Sequence, residues 1–219
     1  METNIEQARF NMVEQQVRPW DVLDQQVLDL LLRVPREAFV PAHLRALAFA
    51  DTMLPLENGE LMLEPKLEAR MVQALALQPD DKVLEVGTGS GYLTALLASL
   101  AARVVSVELD SEMMAAAQQG LAAHGIDNVD FYLGNGAGGW EAEQPYDAIV
   151  LGGAVAAIPQ ALKEQLQVGG RLFAVVGEAP AMQGMLLTRL NMKEWREWVL
   201  FETVIPPLRE CHGTRGFVF

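Results

Sequence analysis

The chain has 219 residues, 51% of them hydrophobic, and carries a formal net charge of −13. That length and apolar share suit one α/β domain with a substantial core and room for an added subdomain, and they argue against disorder. The negative balance, with basic residues scattered in small groups such as Arg189, Lys193 and Arg196, opposes binding to a phosphate backbone.

No apolar run approaches the ~20 residues that span a bilayer. The polar, acidic start Met1-Glu2-Thr3-Asn4-Ile5-Glu6-Gln7 lacks the basic and apolar regions of an export signal. Cys211 is the single cysteine, so no intramolecular disulfide forms, and a reducing, cytoplasmic setting is expected. Cys211 adjoins His212, but with one cysteine and three histidines in the chain no metal site is expected. Nothing in the pattern assigns an oligomeric state.

Residues 1–78 read as an N-terminal helical extension with a substrate-side segment, and residues 79–219 as the main domain. Residues 22–32 have helical periodicity, closed by the proline-flanked stretch 35–41. Residues 49–64 read as irregular, with Pro55, Asn58 and Gly59; a mobile lid and an ordered loop both fit them. Pro65 suits the first position of a helix whose apolar stripe is Leu67, Met71, Val72 and Leu75. After the turn Pro79-Asp80-Asp81, strands are predicted at 82–86, 103–108, 129–133, 146–151, 170–176, 184–190 and 198–205. Helices are predicted at 91–100, 111–124 and 158–166. Strands interleaved with helices imply a mostly parallel sheet covered on both faces. The last two strands lack a helix-length connection, which predicts a hairpin and one antiparallel strand.

The stretch Lys82-Val83-Leu84-Glu85-Val86-Gly87-Thr88-Gly89-Ser90-Gly91-Tyr92 carries the strongest chemical signal. An apolar strand ends in three alternating glycines before a helix, so side-chain-free positions let a ligand approach backbone N–H groups. The next strand ends in Glu108, whose carboxylate suits two ribose hydroxyls. A dinucleotide fingerprint requires a small residue where Tyr92 or Thr94 stands, which sets an NAD-dependent oxidoreductase aside. Gly134-Asn135-Gly136 and Gly152-Gly153-Ala154 follow the third and fourth strands. Ligands of open α/β sheets bind beyond the carboxyl ends of strands, so these loops are expected to converge with residues 87–91 and Glu108.

The G-x-G-x-G form with a preceding Glu85 resembles motif I of S-adenosylmethionine-dependent methyltransferases. Over nearly its whole length the chain resembles protein-L-isoaspartate O-methyltransferases. Val34-Pro35-Arg36-Glu37-Ala38-Phe39-Val40-Pro41 is similar to that family's V-P-R-E-x-F-V-P, a specific motif. Asp51-Thr52-Met53-Leu54-Pro55-Leu56 is similar to its D-x-x-L-P-I, and Val83 to Tyr92 to its V-L-E-I-G-T-G-S-G-Y. Ile158-Pro159, Gln165-Leu166, Gly169-Gly170 and Pro206-Pro207-Leu208 resemble its later I-P, Q-L, G-G and V-P-L.

The resemblance implies a Rossmann-like class I methyltransferase fold: a seven-stranded, mostly parallel sheet with helices on both faces and an N-terminal helical extension. It implies S-adenosyl-L-methionine as methyl donor, S-adenosyl-L-homocysteine as product, and methyl transfer to the isoaspartyl carboxylate of a damaged protein or peptide. The implied cofactor-binding set is Glu85, Gly87, Thr88, Gly89, Ser90, Gly91, Glu108, Leu109, Asn135 and Gly136. The glycine loop would line the methionine end, Glu108 would hold the ribose, and Asn135 and Gly136 would flank the adenine.

The chain departs from the family at three places. Asn135-Gly136 stands for Asp-Gly, and the amide keeps an acceptor for the adenine amino group. Leu151-Gly152-Gly153-Ala154 stands for V-T-A-A. Gly59-Glu60-Leu61-Met62-Leu63-Glu64-Pro65 stands for G-Q-T-I-S-x-P, so the family's catalytic serine position is Leu63 and its other hydroxyl position is Leu61. Leu61, Met62, Glu64 and Pro65 form the implied substrate side. Glu57, Glu60 and Glu64 repel an anionic substrate unless Lys66 or Arg70 compensates. Three readings follow: an isoaspartyl-type methyltransferase, a methyltransferase with a more apolar acceptor, and a cofactor-binding protein without turnover.

Overall fold

The computed structural model of the protein describes residues 2–209; the Cys211–His212 pair lies outside them. The chain opens with α1 (Glu2–Met12), which runs on through a wider turn to Val17 and a tighter one to Trp20, and continues with α2 (Gln25–Arg33). Asp24 caps α2 by accepting from the Gln26 N–H at 2.8 Å, one of the four orphan donors at a helix start. Two short strands, β1 (Leu54–Pro55) and β2 (Leu61–Met62), then pair as an antiparallel ribbon. The segment expected to be irregular is therefore a hairpin turning at Asn58 and Gly59, with Leu54, Leu56, Met62 and Leu63 buried. α3 (Pro65–Leu75) begins at its proline and buries the expected stripe of Leu67, Met71, Val72 and Leu75.

From here strands and helices alternate: β3 (Lys82–Val86), α4 (Tyr92–Ala98), β4 (Arg103–Glu108), α5 (Ser111–Ala123), β5 (Val129–Leu133), β6 (Tyr146–Leu151) and α6 (Gln160–Gln165). Three long strands follow, β7 (Leu166–Glu178), β8 (Ala181–Asn191) and β9 (Glu194–Thr203). The seven strands β3 to β9 lie in the order β5-β4-β3-β6-β7-β8-β9. Only β8 runs against the rest, as the predicted hairpin required. The hairpin is tighter than the predicted bounds. Asn191 pairs with Glu194, and the Asn191 side chain accepts from the Lys193 N–H at 3.0 Å, so residues read as a connection belong to β9. Likewise α6 begins only after Pro159 and gives way to β7 at Leu166, and α4 stops at Ala98.

Alternation along the strands builds two layers. Val83, Val104, Ala148, Val150, Phe173 and Val175 join one core with α2, α3, α4, α5 and the end of α1. Leu84, Val86, Val105, Val107, Ile149, Leu151, Leu172 and Ala174 join the other with Leu162 of α6 and Trp140. The N-terminal extension shares its core with one face of the sheet and has no separate core of its own.

Arg36 ties the extension to the sheet layer. Its side chain is fully buried, forms an ion pair with Glu68 of α3, and donates to the backbone oxygens of Ala48 and Leu63. Its guanidinium also lies 4.9 Å from the centre of the Tyr92 ring, which packs on Phe39 at 5.8 Å. The proline-flanked motif and the end of the glycine motif thus meet in one buried cluster.

Candidate active site

The chain runs outward through β3, β4 and β5 and returns to β6 beside β3. That reversal leaves a crevice at the carboxyl ends of these strands, where open α/β sheets bind ligands. A cavity of about 430 Å³ opens there, with Gly87, Gly89, Glu108, Leu109, Asn135, Gly136 and Gly152 in its wall. The four strand-end loops singled out in the sequence therefore converge.

Glu108 is buried beside the glycine loop. One carboxylate oxygen accepts from the Gly89 N–H at 3.0 Å; the other accepts from Leu109 N–H at 2.8 Å and Asp110 N–H at 3.1 Å. A carboxylate has about four lone-pair directions, so the oxygen facing Gly89 keeps capacity for a ligand hydroxyl. The glycine N–H groups are used within the protein: Gly87 donates to Val107, Gly89 to Glu108 and Gly91 to Thr88. The loop thus contributes shape and a fixed carboxylate, and its three glycine N–H groups are taken up within the protein rather than turned to a ligand.

Gly136 forms part of the floor. A Cβ there would sit 3.2 Å from both Val107 and Val86. The Asn135 side-chain oxygen accepts from the Ala137 N–H at 2.9 Å, which folds this loop against the cavity. Gly152 has no space at all, since a Cβ would come within 2.6 Å of the Gly87 carbonyl oxygen.

Other expected residues stand back from the cavity wall. Glu85 is fully buried on the helix side of β3, where Thr94 and Ser106 each donate to it at 2.6 Å. Thr88 bonds Ser106 at 2.6 Å, so the glycine loop, two strands and α4 are tied by one hydrogen-bond chain. Burial pushes the Glu85 carboxyl up to about 8, against the two hydroxyl bonds, with Glu108 and Glu68 adding repulsion. Gly91 caps α4 at φ +82°, and a Cβ there would strike Ala117 of α5 at 2.9 Å. Its role is helix packing. Ser90 lies towards a neighbouring groove beside Phe39 and Met113.

On the substrate side, Leu61 and Leu63 line the cavity; Met62, Glu64 and Pro65 do not. Met62 turns into the core, as its place in β2 next to outward-facing Leu61 requires. Lys66 pairs with Asp51 and Glu64, and Arg70 donates to the Trp20 oxygen, so neither expected compensating cation lines the cavity.

Asn58, Gly59, Glu60 and the stretch 206–209 also line the cavity; Glu60 is expected from the sequence only as a repelling charge, and Asn58 and Gly59 only as part of a lid or loop. Pro206-Pro207-Leu208 is a family motif without an assigned role, and Arg209 carries no signal in the sequence. The Ala154 N–H donates to Pro206 and the Leu208 N–H to Ala154, both at 2.9 Å, which seats this stretch on the loop after β6. Arg209 follows and pairs with Glu60 of the ribbon. Burial raises the Glu60 carboxyl above the ordinary range; Arg209 opposes this, while Glu108 and Asp110 add repulsion.

A profile of the family described as Protein-L-isoaspartate(D-aspartate) O-methyltransferase matches residues 8–202. The chain belongs to this family. A protein-L-isoaspartate O-methyltransferase of Methylorubrum populi is 42% identical over 209 residues, covering 95% of this chain and 98% of its own. One of Rhodopseudomonas palustris is 40% identical over 203 residues, covering 92% and 93%. Among solved structures, a protein-L-isoaspartate O-methyltransferase superposes with a TM-score of 0.78 at 24% identity, over 91% of this chain and 65% of its own. A Plasmodium falciparum protein of the same description, in complex with S-adenosyl-L-homocysteine, gives 0.77 at 20% identity over 92% and 98%. Both structures share the fold described above.

The residues present fit the family's cofactor. Glu108 offers acceptor capacity at the end of β4, and Gly136 leaves a bare floor between Val86 and Val107. Among the described residues no cluster of three or more His, Cys, Asp or Glu side chains is placed to hold a metal ion.

Proposed function

We propose that this protein transfers a methyl group from S-adenosyl-L-methionine to the side-chain carboxylate of isoaspartyl residues in proteins or peptides. The observation that carries this reading is the convergence of Glu108, Asn135, Gly136 and the glycine loop on one cavity in a chain of this family. The cofactor supplies an electrophilic methyl group. Glu108 holds the ribose hydroxyls, and the Asn135–Gly136 turn flanks the adenine.

An ionised carboxylate needs no general base, because it is a nucleophile above pH ~4. The protein's task is positioning, worth up to ~7–11 kcal/mol in favourable cases, together with removal of water. Leu61 and Leu63 line the acceptor side with apolar surface and so serve water exclusion. Relative to a hydroxyl at either place they forgo a hydrogen bond to a charged group, worth ~1.5–3 kcal/mol.

Incubation with labelled S-adenosylmethionine and an isoaspartyl peptide, beside its normal-aspartyl twin, tests the reading. Label in the isoaspartyl peptide alone is the expected result. Cofactor binding with no label on either peptide would overturn it. The apolar pair Leu61 and Leu63 favours a second reading, a less polar acceptor, and a screen of cell-extract substrates addresses that. The net charge of −13 supports protein over nucleic-acid substrates, and the single cysteine supports a cytoplasmic setting. No helix among the described residues is long and apolar enough to cross a membrane.

A further inference from the structure

An anionic acceptor must enter a cavity whose wall already contains the carboxylates of Glu60 and Glu108. Among the described residues lining that cavity, Arg209 is the only cation. Its place is built. Pro206 and Leu208 are hydrogen-bonded to Ala154, and Gly153 admits the stretch because a Cβ there would sit 2.9 Å from the Leu208 nitrogen. Arg209 is therefore carried to the cavity edge by a seated segment.

Its partner is Glu60, at the turn of the β1–β2 ribbon. That turn is closed by Leu56 N–H donating to Glu60 at 2.8 Å, and by Glu60 N–H donating to the Asn58 side chain at 3.1 Å. The ion pair links the ribbon to the chain after β9 across the cavity. Glu60 is an uneasy partner, half-buried and repelled by Glu108 and Asp110. Leu61 and Leu63 beside it carry no donor.

Resting on the isoaspartyl reading, we propose that Arg209 binds the acceptor carboxylate of the substrate, and that Glu60 occupies the guanidinium until substrate displaces it. A guanidinium presents paired N–H donors that match a carboxylate, so the exchange replaces one charge-assisted pair with another. Such an exchange needs no new cation in a strongly acidic protein. The cofactor also carries a carboxylate, and the test separates the two sources.

The experiment uses the full-length protein loaded with S-adenosyl-L-homocysteine, a fluorescent isoaspartyl peptide and its aspartyl twin. Peptide affinity is read by anisotropy, S-adenosyl-L-homocysteine affinity by calorimetry, and kcat and KM by label transfer. Arg209→Ala is expected to weaken peptide binding and raise KM by about tenfold or more, the loss of one charged hydrogen bond. S-adenosyl-L-homocysteine affinity should stay within about twofold of wild type. Arg209→Lys should recover part of the loss, and Glu60→Gln should lower KM by freeing Arg209. Unchanged peptide affinity and KM in Arg209→Ala overturns the proposal. Loss of S-adenosyl-L-homocysteine binding overturns it too, by assigning Arg209 to the cofactor. Wild-type protein that binds the isoaspartyl peptide but transfers no label overturns the functional reading alone. Wild-type protein that binds neither peptide overturns both.

Discussion

Glu85 belongs to the glycine motif but does not line the cavity; it is bonded to Thr94 and Ser106 behind the loop. In Lys82-Val83-Leu84-Glu85-Val86 the side chains alternate, so Glu85 shares a face with Val83, towards α4. The period of two was legible in the sequence, but position in a glycine motif outweighed it. Glu108 was legible because it ends its strand. The consequence for Glu85 is a pH effect. Its carboxyl is raised to about 8, against 4.5 ordinarily. The folded state therefore holds a proton that the unfolded chain has released. Stability from this group is fully present below about pH 4.5 and is lost as pH rises towards 8. The slope is up to ~1.4 kcal/mol per pH unit. Glu85→Gln keeps an acceptor for Thr94 and Ser106 and removes the titration. Urea denaturation at pH 5 and pH 8 should show a steeper loss in wild type than in Glu85→Gln; parallel losses would mean Glu85 is ionised throughout.

At the scale of elements, burial alone did not decide what was legible: half-exposed edge strand β5 matches its predicted bounds, while buried β7 starts at Leu166 rather than at 170. The inner strands β3, β4 and β6 are buried runs, and their predicted bounds match the structure. Edge strand β9 starts with exposed Glu194, Arg196 and Glu197, which carry no alternating apolar signal and read as a connection. α1 was missed for a related reason: it is polar over most of its length and is anchored by Met12, Val13 and Val17 at its far end. The ribbon and α3 depend on Arg36. Its bond to the Leu63 oxygen fixes the backbone at the acceptor side from beneath. Arg36→Ala leaves Glu68 buried without its ion-pair partner, and should cost ~3–5 kcal/mol in chemical denaturation followed by tryptophan fluorescence. Arg36→Met combined with Glu68→Leu should regain only part of that loss, because an apolar pair needs no charge compensation but leaves the Ala48 and Leu63 oxygens without their donor. A single variant within about 1 kcal/mol of wild type would show that the pair contributes little.

For the whole molecule, the shared core argues for one unfolding unit. The N-terminal extension supplies Glu60, Leu61 and Leu63 to the cavity, and the sheet supplies Glu108 and Asn135. S-adenosyl-L-homocysteine at 100 times its Kd should stabilise this unit by ~2.7 kcal/mol. A thermal melt should show a single transition that moves upward with ligand, and Glu108→Ala should lose most of the movement. Two transitions, with one indifferent to ligand, would show that the extension folds apart. The meeting of Glu60 with Arg209 joins positions far apart in the chain, and no local pattern announces such a contact. Gly152 carries the longest reach. The family motif V-T-A-A places threonine there, whereas in this chain even a methyl group would collide with the Gly87 oxygen. Parts of this protein and of relatives that keep the motif are therefore not interchangeable one residue at a time. A chimera that imports their loop must import the glycine turn and the stretch at 206–208 with it, and a reversion at Gly152 becomes admissible only after both neighbours have moved.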